Sequence, residues 1–277
     1  MTESVKTLTF INVLFVLLLI ASGSFPGFIG SALYYLAFII PIAIGFSTSV
    51  SLKYKREEIK GIAEPLDRFV SLDKSAVGKL LCLIAPVVLL IFLTSLLSSF
   101  MLSLVGVSAK PVEDTGIVNM LLVHALVPAV FEEALFRYIP MKLVLPYSRK
   151  WCVIYSAICF ALIHCSFVQM PYAFVAGILF MIVDVALGSV WPSVILHFVN
   201  NAVSVVWMKY CGTLTASLIL VSSLVILSLV SLIFILRKRE EYLSDVRGAF
   251  DKGEGFPATY APFALVAVCC CLAAATL

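Results

Sequence analysis

Apolar residues recur along this chain in runs too long for a soluble protein, separated by short polar breaks. A helix needs about 20 mostly apolar residues to cross a bilayer. Runs of that kind lie near residues 7–23, 27–48, 79–105, 116–145, 151–168, 171–188, 190–209 and 214–236, with a weaker one near 257–276. The pattern predicts an all-α fold, a polytopic transmembrane helical bundle of about eight or nine spans. Several middle runs are short or crowded, which suits re-entrant or strongly tilted helices. There is no internal repeat and no long soluble domain.

The polar breaks set an orientation. The longest, Ser51–Ser75, holds Lys53, Lys55, Arg56, Lys60, Arg68 and Lys74 among its acids; Arg149-Lys150 separates the fourth and fifth runs; Arg237-Lys238-Arg239 follows the eighth. Each comes after an even-numbered run, so all three share one side of the membrane. By the positive-inside rule that side is the cytoplasm, and the N-terminus is cytoplasmic with it. The stretch Glu240–Gly255 is charged and Gly-rich and reads as a surface linker.

Composition agrees. The 277 residues are 62% hydrophobic and 13% charged, with a net charge of +3, far from soluble averages and too weakly basic to suggest nucleic acid. None of the eight cysteines has zinc-ribbon spacing, and they read as small hydrophobes rather than a disulfide framework. The first residues lack the basic start of a cleaved signal.

Charges inside the apolar runs are the candidate chemistry, because ionised groups are costly within a membrane. Glu132-Glu133-Ala-Leu-Phe-Arg137 places three in one run. Neighbours on a helix point about 100° apart, so the two carboxylates are expected to face different partners. Glu133 and Arg137, four apart with the acid first, suit a helical ion pair that supports the site. Glu132 is left without a local partner. A lone carboxylate shielded from water has the surroundings that a general base or acid needs.

His164 follows Phe160 by one turn, and His197 precedes Asn201 by one turn. An imidazole and an amide stacked on one face can stabilise an oxyanion. Asn200 is expected to rotate away from that face, and His124 to be a core or helix-contact residue. Asp184 is expected either to face the same cavity or to cap a helix end near Gly188. Glu132, His164 and His197 could instead hold zinc. The single-helix His-Glu-x-x-His motif is absent, however, and the amide of Asn201 is a poor zinc ligand. A water activated by Glu132 and His164 uses every group with no metal or other cofactor.

These residues resemble the CPBP family, intramembrane proteases related to the type II CAAX prenyl endopeptidases and to bacteriocin-processing or immunity proteins. The family pattern of Glu-Glu-x-x-x-Arg, Phe-x-x-x-His and His-x-x-x-Asn is similar to Glu132-Glu133…Arg137, Phe160…His164 and His197…Asn201. The resemblance divides the chain into 1–115, N-terminal helices with a cytoplasmic loop; 116–209, the catalytic core; and 210–277, C-terminal helices and linker. It implies that Glu132 and His164 activate a water, that His197 and Asn201 form the oxyanion hole, and that Glu133 with Arg137 holds the site together. The expected protein is a membrane endopeptidase of the bacterial plasma membrane, acting on a lipidated, CAAX-type or bacteriocin-like membrane peptide. Two other classes compete with it. An immunity or scaffold protein would keep the fold without turnover, and a proton-coupled transporter would use the same ionisable groups as a relay.

Overall fold

The computed structural model describes residues 2–60, 74–104, 106, 113–164 and 166–249. Its helices are α1 (Thr2–Ser24), α2 (Gly27–Lys60), α3 (Lys74–Ser103), α4 (Ile117–Leu143), α5 (Arg149–Leu162), α6 (Met170–Leu187), α7 (Trp191–Tyr210), α8 (Leu214–Arg237) and α9 (Arg239–Ala249). No strand occurs among the described residues. The chain is an all-α polytopic bundle, as the apolar runs predict.

Among the described residues six helices are long and apolar enough to cross a membrane: α1, α2 through Lys53, α3, α4, α6 and α8. Helices α5 and α7, also expected to cross, fall outside that measure of length and hydropathy. Helix α5 has 14 residues, roughly 21 Å of rise against a hydrocarbon core of roughly 30 Å. It stops at Leu162, well short of residue 168. Helix α7 is continuous, but Ser193, His197, Asn200, Asn201 and Ser204 break its apolar run. The ninth run, 257–276, lies outside the described residues.

Two polar stretches are also more helical than expected. Helix α2 runs on to Lys60. Residues 239–249, read from composition as linker, form α9. Glu241 and Asp245, one turn apart, both reach Lys79 of α3, at 2.9 and 2.7 Å, so charge ties α9 to the bundle.

Local chemistry sets the helix ends. The Ser148 hydroxyl accepts from the Trp151 N–H at the start of α5, and Pro171 and Pro192 occupy first turns of α6 and α7, where no N–H is needed. Gly188 closes α6 at φ 68°, the left-handed conformation that a Cβ disfavours.

Helix α4 contains two wide π turns, Leu122–Leu126 and Ala134–Tyr138, on either side of the Glu132-Glu133 pair. Each is followed closely by a proline, Pro128 and Pro140. A proline ring collides with the carbonyl four residues back and offers that carbonyl no N–H. A wider turn gives the ring room. The carbonyl of Phe136, four residues before Pro140, accepts instead from the Ser156 hydroxyl at 2.5 Å. In a bilayer every backbone group needs such an internal partner.

The core lies where α4, α5 and α6 meet. Phe136, Ile139, Met141, Cys152, Cys159, Phe180 and Met181 are all buried there. Helices α5 and α6 touch backbone to backbone: a Cβ on Gly177 would sit 2.7 Å from the Ala157 Cα. That is the close approach by which small residues join membrane helices without a hydrophobic driving force. The α1–α2 hairpin joins through Phe15, whose ring meets Phe38 and Phe136 edge-on, and through the Asn12 amide, which donates to the Tyr155 hydroxyl. Cys82, Cys152, Cys159 and Cys211 are free thiols.

Candidate functional site

A cavity of about 480 Å³ lies between α3, α4, α6 and α7 and the end of α5. Glu132, His164, His197 and Asn201 all line it. Four polar side chains from three separate stretches of sequence thus line one cavity.

Behind that lining lies an ion pair. Arg137 and Glu133 are completely buried, with the guanidinium Nε 3.1 Å from Glu133 Oε2, the i,i+4 pair expected from the sequence. The guanidinium lies over the Phe160 ring, 4.3 Å from its centroid, with Phe180 at 5.7 Å. Such stacking favours a desolvated cation. Phe160 also meets both imidazoles edge-on, His164 at 5.0 Å and His197 at 5.6 Å between centroids. This one ring fixes the spacing of three site groups.

The two glutamates do not face different neighbours, and here the sequence reading is corrected. Glu133 Oε1 lies 2.7 Å from His197 Nδ1, and Glu132 Oε2 lies 3.9 Å from His197 Nε2. Side chains about 100° apart on α4 take opposite edges of one ring because α7 crosses between them. A carboxylate only accepts, so His197 Nδ1 carries the proton and donates to Glu133. Glu132 Oε2 makes no hydrogen bond with the protein.

His164 sits in the turn just after α5 rather than within a helix. Its Nδ1 is 2.8 Å from the Phe160 carbonyl oxygen. The carbonyl can only accept, so Nδ1 carries hydrogen and the neutral ring keeps its lone pair at Nε2.

Three further expectations change. Asn200 is not turned away: it lines the cavity, and its Nδ2 donates to Asn201 Oδ1 at 3.2 Å, which leaves the Asn201 amide hydrogens free of that contact. His124 is not a core residue; it is exposed and also lines the cavity. Asp184 is fully buried and does not line the cavity. It does cap a helix, but the following one: its Oδ1 accepts from the Ser193 N–H in the first turn of α7.

Among the described residues no three His, Cys, Asp or Glu side chains converge closely enough to hold a metal ion.

Fold and site together define an integral membrane protein with a buried polar centre. Residues 114–203 match the family model described as type II CAAX prenyl endopeptidase Rce1-like, and Glu132, Glu133, Arg137, His164, His197 and Asn201 all fall within that stretch. The match covers less than half of the chain, agrees with the resemblance carried by the three motifs, and points to the coarse class of membrane protease. Comparisons with curated proteins and with solved structures each found no match.

Proposed function

We propose that this protein is an intramembrane endopeptidase that hydrolyses a peptide bond of a membrane-associated substrate without a metal. The convergence of Glu132, His164, His197 and Asn201 on one cavity carries the reading. Glu132, with no hydrogen bond to the protein, takes a proton from a water in the cavity, and the lone pair of His164 Nε2 orients that water. The water oxygen attacks the scissile carbonyl. The resulting oxyanion accepts hydrogen bonds from the Asn201 amide and from His197 Nε2–H. Glu133 supports that second donor by accepting from Nδ1–H and so holding the ring in place, and the step uses the doubly protonated ring, which alone has a proton on both nitrogens. Collapse breaks the C–N bond, and Glu132 returns its proton to the leaving amine.

The family match supports a peptide substrate at the membrane, and a prenylated CAAX-type or bacteriocin-like segment is the substrate class to test first. The deciding experiment compares wild type with Glu132→Ala in liposomes. It uses a farnesylated CAAX peptide and a panel of unmodified membrane peptides, each with and without a strong zinc chelator. Glu132-dependent cleavage that survives chelation is the expected result. Loss with chelator and rescue by zinc would replace the water-activating glutamate with a metal. Cleavage that persists in Glu132→Ala would overturn the mechanism.

A further inference from the structure

The cavity has a direction, and the charges at the two ends of the bundle say which way it faces. Its deepest polar residues, Glu132 and His197, lie about fifteen residues into α4 and about six residues into α7. From there the lining climbs one way only. On α3 it runs from Phe92 to Ser99, in the C-terminal half; on α6 it runs from Phe180 back to Tyr172 and beyond to Gln169; on α7 it runs on through Ser204 to Met208. All these lead to the end of the bundle where α3 and α7 finish and α4 and α6 begin. That end carries one described ion pair, Asp114 with Lys209 at 2.7 Å.

The opposite end holds the cations. Lys74 and Lys79 start α3, Arg149 and Lys150 start α5, and Arg237, Lys238 and Arg239 lie where α8 meets α9. No residue of that cluster lines the cavity. Basic residues in short loops stay on the cytoplasmic side. These groups follow the second, fourth and eighth helices, and because α5 and α7 each carry the chain between the two ends, the number of traverses before each group is even.

We propose that the site is served from the non-cytoplasmic face, so its substrate is a peptide segment presented outside the cytoplasm rather than a lipidated C-terminus held in the cytoplasmic leaflet. The walls suit such a segment. Ser95, Ser99, Gln169 and Ser204 offer polar groups along the route, and Leu96, Trp207 and Met208 offer apolar ones. An extended peptide, whose backbone groups need partners inside a membrane, can use both. This inference builds on the protease reading for its substrate but not for its geometry.

The test is thiol accessibility in the full chain, with native cysteines other than the buried Cys152 and Cys159 changed to serine. A membrane-impermeant cationic methanethiosulfonate is applied to intact cells and to inverted vesicles. Gln169→Cys at the mouth and Ser204→Cys midway down should react in intact cells, and Lys150→Cys and Lys238→Cys only in inverted vesicles. An N-terminal tag on the chain with all its cysteines should be reached by protease only in inverted vesicles, which checks orientation without the cysteine changes. Reaction of Gln169→Cys and Ser204→Cys only from the cytoplasmic side, or from neither side, would overturn the proposal. Because labelling needs no turnover, correct labelling with no Glu132-dependent cleavage from either side would sink the protease reading and leave the access route standing.

Discussion

His197 touches one glutamate and faces another, and the two contacts separate stability from chemistry. Removing the charge of Glu133 leaves Arg137 buried with no counter-charge, a loss of about 3–5 kcal/mol for a buried pair. Glu133→Gln should therefore lower the thermal midpoint in detergent sharply as well as abolish cleavage. Glu132→Gln should abolish cleavage with the midpoint nearly unchanged, because Glu132 holds no partner that its loss would strand. Equal thermal losses in the two variants would contradict this division. If Asn201 is an oxyanion donor, Asn201→Ala should lower kcat by about 10²–10³, with KM little changed; a loss confined to KM would make Asn201 a binding residue instead. At this scale the pairing of Glu133 with Arg137 was legible, because i,i+4 spacing is a property of one helix. That both glutamates meet one imidazole was not, since it depends on where α7 crosses α4. The cavity-facing position of Asn200 was hidden for the same reason.

Among the elements, the apolar runs gave away α1, α3, α4 and α6 to α8 within a few residues, and α2 without its polar extension to Lys60, because bilayer thickness imposes the length of an apolar run. What the runs could not carry was register within a helix. The π turns of α4 arise where prolines meet tertiary partners such as Ser156, and hydrophobicity does not record them. Helix α9 was missed because nothing in it is apolar enough to mark a face; Lys79, far away in sequence, holds it. The Lys79 hydrogen bond keeps the Glu241 carboxyl below the usual carboxylate range. A depressed carboxyl contributes stability above its unfolded value and loses it as pH falls through the lowered folded value. Acidification through and below the ordinary carboxylate range should therefore release α9 before the bundle opens, seen as faster hydrogen exchange confined to 239–249. Uniform loss of protection across α3 and α9 would argue against a local latch. The α5–α6 contact is less forgiving. Gly177→Ala places a methyl 2.7 Å from the Ala157 backbone, and backbone cannot move aside as a side chain would. Overpacking of this kind costs about 1–3 kcal/mol. Helix α5 also positions His164, so activity should fall further than the thermal midpoint alone explains.

For the molecule as a whole, the division of labour follows the boundary of the family match. Every polar residue proposed for the chemistry lies within residues 114–203, yet one wall of the cavity is built by Phe92, Ser95, Leu96 and Ser99 of α3, outside it. Phe92 is braced against Trp207 with ring centroids 5.1 Å apart, so α3 is a fixed wall, and Leu96 is an apolar side chain that it contributes to the lining. Selectivity among substrates should accordingly respond to α3 while the chemical step does not. A methylene gained or lost in an apolar pocket shifts discrimination by about 1–3 kcal/mol. Leu96→Ala should raise kcat/KM for peptides with bulky side chains near the scissile bond relative to small ones, and Leu96→Trp should reverse the order. Neither should alter the dependence on Glu132. The measurement is kcat/KM across a peptide panel graded by side-chain volume, for both variants beside wild type. A reordering of the panel would place substrate choice on α3. A uniform rise or fall would show that Leu96 acts on packing alone, and that selection belongs to α6 and α7.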